Sequence, residues 1–376
     1  MILVVFVNLF IWGTFSVGLR MSDSEARIAC FLVAKRSNQK VAHKSIGKSF
    51  IMKILEIDYT TKLNFEYPVY DHYFLLRSVP VSKDAQTVVS TNLSIFPVVP
   101  LVTSSDIFGN VSYQGRICGS HQEFSFHSTA TVIVDRKNGS RDLCFPLYKY
   151  NTELTRCSPA MRNFLYSLFA GTDLDEKIRT KNVSVKDFHL VTEIIQNAIH
   201  EKIKYENGST NVKTTAAQAF ELQKGVCQDY SHIFCSLCRE AGIPSRYVAG
   251  TSQGEGVTHA WSEYFIPDDG EILHNGQTMN GRWFGVDCTR NKTVDDTYVI
   301  LALGRDYLDC KVDGGIFRGN GTQTMTVFVK TQEKKIEPGL TSQNEKNYKT
   351  FDLRANDFNI EEYKQYKKEQ NQQQQM

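Results

Sequence analysis

The sequence lacks most of the patterns that would announce a chemistry. It has no phosphate-binding glycine loop, no dinucleotide glycine pattern and no H-E-x-x-H, so nucleotide, dinucleotide and zinc-protease chemistries find no anchor. No basic run is interleaved with aromatics, which leaves nucleic-acid binding unsupported. Neither charge sign is in excess, and a formal net charge of +2 selects no partner. The apolar stretch at residues 2–12 is shorter than the roughly 20 residues that a membrane-spanning helix needs. The nine cysteines show no small-domain disulfide spacing. Cys235 and Cys238 form one C-x-x-C, but no second pair completes four zinc ligands, and their helical surroundings make them small core residues. His72, His121 and His127 lack metal-ligand spacing, and His200 and His274 have no partners in sequence. With no calcium loop either, neither metal nor cofactor is expected.

What is present is an ordinary globular composition, 41% hydrophobic and 22% charged, long enough for about two domains. Residues 1–51 read as a leader or an over-extended start. Ser16-Val17-Gly18 offers a small-residue cleavage site, yet no lysine or arginine precedes the apolar run, and Met21 or Met52 could begin the chain. The expected compartment is the cytoplasm, or the exterior if residues 1–18 are a signal peptide. Seven N-x-S/T sequons matter only in a eukaryotic secretory pathway.

Residues 52–145 read as a β-sandwich-like domain. Phe65, Tyr67 and Val69 alternate, as do Phe124 and Phe126, then Ala130, Val132 and Val134, with turn residues between the runs. Residues 146–330 read as an α+β domain, with helices from Pro159 to about Phe169 and from about Val185 to Lys202. Further strands are expected at Tyr298–Leu303 and Thr324–Lys330. Residues 331–376 are a polar tail ending in a glutamine run.

The chemistry concentrates between Thr214 and Asn291. Thr214-Thr215 caps a short helix over 216–222, which Lys224-Gly225 stops. Cys227 then begins a helix to about Ala241, whose Phe234, Leu237, Cys238 and Ala241 mark one buried face. A thiol at a helix N-terminus sits near unpaired N–H groups and the positive dipole end, which favours the nucleophilic thiolate. Residues 257–266 read as a strand with His259 near its start, and 282–287 as the next, with Asp287 at its end. Antiparallel pairing would bring Asp287 beside His259 to hold its tautomer. His232 lies five residues after Cys227, off the cysteine's helix face.

Gly225-Val226-Cys227-Gln228-Asp229-Tyr230, then Gly242-Ile243-Pro244-Ser245-Arg246-Tyr247, then His259-Ala260-Trp261, then Trp283-Phe284-Gly285-Val286-Asp287, resemble the core of the transglutaminase-like superfamily. The bacterial-type, cysteine-protease-like branch is the nearer match. Ser105-Asp106-Ile107-Phe108-Gly109-Asn110 resembles part of its N-terminal β domain, and Leu303-Gly304-Arg305-Asp306-Tyr307 extends the match downstream. Cys288 departs from the proline that many members carry there, which bears on the local turn.

The resemblance implies an α+β fold, with a β-sandwich-like domain before a papain-like, transglutaminase-like core. It implies Cys227 as nucleophile, His259 as base and Asp287 as its orienting partner, acting on a peptide or protein. Hydrolysis through a thioester acyl-enzyme is expected, with amine transfer and a non-catalytic scaffold as alternatives. The Cys227 backbone N–H is the first oxyanion donor; Gln223 and Gln228 are candidates for the second. Trp261 and Trp283 are walls or core, and Glu263 is either an amine-binding group or a solvated rim residue. No membrane association or oligomeric state follows from the sequence.

Overall fold

One long strand organises the first half of the molecule. The computed structural model describes residues 53–334 apart from 137 and 271–276. The leader, most of the polar tail and His274 therefore lie outside the described residues. Strand β1 (Lys53–Leu76) turns Leu55, Ile57, Tyr59 and Thr61 inward at a period of two. The remaining strands of this region are β2 (Gln86–Phe96), β3 (Val102–Ser105), β4 (Val111–Ile117) and β5 (His121–Val134).

The first half of β1 pairs with β5, and its second half with β4. Between them, at Asn64 to Val69, the register shifts. Such irregularities bend and twist a strand. One strand thus serves both parts of a single curled, eight-stranded sheet, a half-barrel where two facing sheets were expected. The same shift breaks the alternation read from the sequence: Phe65 and Val69 are buried but Tyr67 is exposed.

The second half is a six-stranded sheet with helices packed against it. Its strands are β6 (Ser140–Cys144), β9 (Ser245–Ser252), β11 (His259–Pro267), β12 (Met279–Asp287), β13 (Lys292–Thr293) and β14 (Tyr298–Gly304). A short parallel pair stands apart, β7 (Lys204–Tyr205) with β8 (Lys224–Gly225). The helices are α1 (Pro159–Phe169), α2 (Asp175–Arg179), α3 (Phe188–Lys202), α4 (Ala216–Leu222) and α5 (Cys227–Glu240). Ser158 caps α1 by accepting from the Met161 N–H at 3.3 Å. Helix α5 is the central one: Ile233, Phe234, Leu237 and Cys238 are fully buried, against α1, α3 and α4 on one side and the sheet on the other. Among the described residues no helix is long and apolar enough to cross a membrane.

The two halves are interleaved in sequence. Strands β15 (Asp313–Arg318) and β16 (Gln323–Glu333) return to pair with β1, although the sequence division grouped residues 313–330 with the second domain. Thr331 to Glu333, read as tail, complete β16. Strand β10 (Gly254–Gly256), just before His259, pairs with β16 as well.

The open edge of β14 is closed by two side-chain amides from the first half. Gln86 donates to the Ile300 carbonyl at 2.9 Å and accepts from its N–H at 2.8 Å. Asn110 does the same for Leu303, at 2.7 and 2.8 Å. Each amide imitates a neighbouring strand, and all four groups are buried. Substituting Gln86→Ala is therefore expected to lower the unfolding free energy by about 1–3 kcal/mol through unpaired Ile300 groups. Urea unfolding followed by tryptophan fluorescence measures this; an unchanged midpoint would show the amide to be dispensable.

Candidate active site

The site begins where α4 ends. Thr215 and Gln218 form a reciprocal capping box at its start, with Thr215 N–H donating to Gln218 Oε1 at 2.9 Å. Its left-handed terminating residue is Gln223 (φ 52°), not the glycine that the sequence suggested. Gly225 is needed for a different reason: a Cβ there would lie 2.6 Å from that of Asp229. The Asp229 carboxylate accepts from the Val226 N–H at 2.8 Å and the Thr210 hydroxyl at 2.6 Å. Those bonds fix the entry into α5 and place Cys227 as its first residue, partly exposed to solvent.

His259 opens β11 and Asp287 closes β12, an antiparallel pair in which Ser262 faces Val286. The expected juxtaposition follows. His259 Nε2 lies 2.8 Å from Asp287 Oδ2, and the imidazole's other hydrogen-bond partner is the Cys227 thiol. With Nε2 committed to the carboxylate, Nδ1 is left for sulfur. Burial pushes the His259 imidazolium toward neutrality. The Asp287 carboxylate and Cys227 outweigh it and raise the pKa to about 9. Burial also works against the Asp287 charge, yet His259, Tyr298 and the Arg290 N–H hold its pKa below the usual carboxylate range. The turn after Asp287 forms without proline: Asp287 Oδ1 accepts from the Arg290 N–H at 3.1 Å, and Cys288 is buried in the helical core.

The structure adds two residues that the sequence did not single out. Tyr298, the first residue of β14, donates its hydroxyl to Asp287 Oδ2 at 2.7 Å. From the sequence it was the first residue of an expected strand and nothing more. Tyr205 pairs with Gly225 across β7 and β8 and remains 48% exposed on the Cys227 side. Its pKa is raised by burial and by Cys227.

Other candidates resolve into structural roles. Trp261 is fully buried behind His259, with ring centroids 6.4 Å apart. Trp283 is buried beneath the Arg246 guanidinium at 4.1 Å and packs with Phe265 and Tyr148. Glu263 is neither at the rim nor open to an amine: it is buried and paired with Arg246 at 2.7 Å. Gln228 is buried and Gln223 is exposed. Cys235 and Cys238 are fully buried in α5. His232 accepts from the Tyr307 N–H at 3.1 Å; burial, with Arg239, pushes its pKa down to about 3. His200 contacts the Cys288 carbonyl at 3.1 Å. His72 is buried against His121 at 3.1 Å, while His127 meets Asp58 at the surface. Among the described residues no group of three or more His, Cys, Asp or Glu could hold a metal ion.

Comparison with known proteins bears on the family and the fold. Residues 178–288 match the model of the transglutaminase-like superfamily, and residues 55–133 that of the bacterial transglutaminase-like N-terminal region. An uncharacterized protein of Mycobacterium leprae is 22% identical over 289 residues, covering 73% of this chain and 97% of its own. One from Mycobacterium tuberculosis is 27% identical over 142 residues, covering 35% of this chain and 43% of its own. A solved structure from Cytophaga hutchinsonii, provisionally assigned as a cysteine protease, superposes with a TM-score of 0.55 at 21% identity. It covers 78% of this chain and 96% of that one, a likeness of fold.

The pH dependence follows in sign. Raising the His259 pKa from 6.5 to about 9 means that its ion pair adds stability in full below pH 6.5 and loses it as pH rises to about 9. Asp287→Asn should flatten this dependence and bring the His259 titration, read by NMR, well below 9. An unmoved titration would remove Asp287 as its cause.

Proposed function

We propose that this chain, a member of the transglutaminase-like superfamily, is a cysteine-dependent acyl-transfer enzyme that hydrolyses amide bonds in a peptide or protein. One observation carries the reading. A partly exposed cysteine at a helix start shares its histidine with a buried aspartate 2.8 Å away.

Each residue then has one task. His259 holds the thiol proton as an imidazolium, oriented by Asp287. The Cys227 sulfur attacks the carbonyl carbon and forms a C–S bond, while the carbonyl electrons move to oxygen. The Cys227 N–H, at the first position of α5, faces the developing oxyanion. The tetrahedral intermediate collapses, the C–N bond breaks, and His259 gives its proton to the leaving amine. Water, deprotonated by His259, attacks the thioester and releases the acid. No cofactor enters the sequence of steps.

An amine in place of water would make the protein a transglutaminase with the same three residues. What weighs toward water is the fate of the amine-site candidates. Glu263 is neutralised by Arg246, and Trp261 and Trp283 are packed as core. A transferase needs a shaped apolar channel that excludes water. A scaffold role would leave the partly exposed Cys227 and its charged histidine without a purpose.

Turnover of a peptide library should be abolished by Cys227→Ala, fall at least about 10³-fold with His259→Ala, and fall less with Asp287→Ala, which orients but does not bond to substrate. Full activity in Cys227→Ala would end the covalent reading. With a dansylated amine at millimolar concentration, mass spectrometry should find cleaved peptide or free acid ahead of the amine adduct. A dominant adduct would promote the transglutaminase reading.

A further inference from the structure

We propose that Arg290 and Tyr298 form a polarised hydrogen-bond relay that positions the Asp287 carboxylate for His259. The inference rests on the reading of Asp287 as the residue that orients His259, and it adds two positioning residues to that site.

The direction of the relay is fixed by the chemistry of its members. Arg290 Nη1 lies 3.1 Å from the Tyr298 hydroxyl oxygen. A guanidinium offers donors and no acceptor, so the tyrosine oxygen must accept there. The hydroxyl has one proton, and its other neighbour is Asp287 Oδ2 at 2.7 Å. That proton is therefore aimed at the carboxylate. Oδ2 receives Tyr298 and His259 together, while Oδ1 receives the Arg290 N–H. One residue thus holds the carboxylate from two sides: its backbone acts on Oδ1 directly, and its side chain acts on Oδ2 both through Tyr298 and as an ion pair at 3.9 Å.

The tyrosine cannot swing away. Its side chain is fully buried, its ring meets Trp261 edge to face at 5.2 Å, and the cations of Arg290 and Lys292 lie 5.6 and 4.9 Å from the ring centre. Two residues along β14, Gln86 pins the strand at Ile300. The relay also reaches the surface: the Arg290 side chain is 43% exposed, whereas Asp287 and Tyr298 are closed to solvent.

The charged or titratable groups that meet Asp287 are His259 from β11, Tyr298 from β14, Arg290 from the turn, and the buried Cys288 thiol beside it. Cys227, from α5, acts through His259. Removing the tyrosine donor removes a bond that favours the charged carboxylate, and this raises the carboxylate's proton affinity.

Tyr298→Phe keeps the ring and deletes the donor; Arg290→Ala frees the hydroxyl to turn. In protein labelled with ¹³C at aspartate carboxyls, the Asp287 titration is expected to move up by about one pH unit in Tyr298→Phe, and by less in Arg290→Ala. The kcat of Tyr298→Phe should fall about tenfold with KM within about twofold. Arg290→Lys, which keeps a cationic donor, should recover part of the Arg290→Ala loss. An Asp287 titration that coincides with the parent in both variants would overturn the relay. If Tyr298→Phe does not fold, Arg290→Ala decides. The titration needs no substrate, so a parent protein without acyl-transfer activity would fail the functional reading while leaving the relay to be judged on its own.

Discussion

A carboxylate with no exposure to solvent must find its hydrogen-bond donors inside the protein or lose its charge. Asp287 is that carboxylate, and the neighbouring structure is arranged to supply it. His259 arrives from the start of β11, Tyr298 from the start of β14 and the Arg290 N–H from the turn between. Because these donors keep Asp287 negative, the imidazole beside it holds its proton despite its own burial. A protonated imidazole thus stands between the carboxylate and the Cys227 sulfur. The Cys227 end of the site thus depends on an interaction made at its buried end.

That dependence reaches into the first half of the molecule. Strand β14 has β9 on one side, and the amides of Gln86 and Asn110 on the other take the place of a further strand. The segment leading to His259 is held instead by strand pairing, through β10 on β16. The curled sheet therefore supports two of the three residues that meet at the site, without contributing any reacting group of its own. Its place in the chain fits: β15 and β16 return to it after the second sheet is complete, so the first sheet is finished only once the chain has passed through the second half.

Much of this was legible in the sequence, and the limits have physical causes. The helix from Cys227, the strands carrying His259 and Asp287, and the capped helix before them follow from periodicity and capping residues, which are local. Their meeting in space was legible because an antiparallel pair brings the start of one strand beside the end of the next. The curl of the first sheet was not, because it arises from a register shift within β1 that leaves no mark in residue types. The role of Tyr298 was hidden by an apolar strand, and that of Glu263 by its partner Arg246, which comes from a different strand. Gln86 and Asn110 were unreadable for the same reason: a side chain that caps a distant edge looks like any surface amide. The short α2 and the polar β6 and β15 carry too few apolar residues for periodicity to speak.

If geometry rather than accessibility makes Cys227 the reactive thiol, a covalent probe will single it out. Cys118 is exposed while Cys227 is only partly so. The native protein would be treated with a peptide vinyl sulfone library and the adducts mapped by mass spectrometry. A single adduct is expected, on Cys227, that disappears in His259→Ala. Labelling that favours Cys118, or that persists on Cys227 without His259, would contradict it.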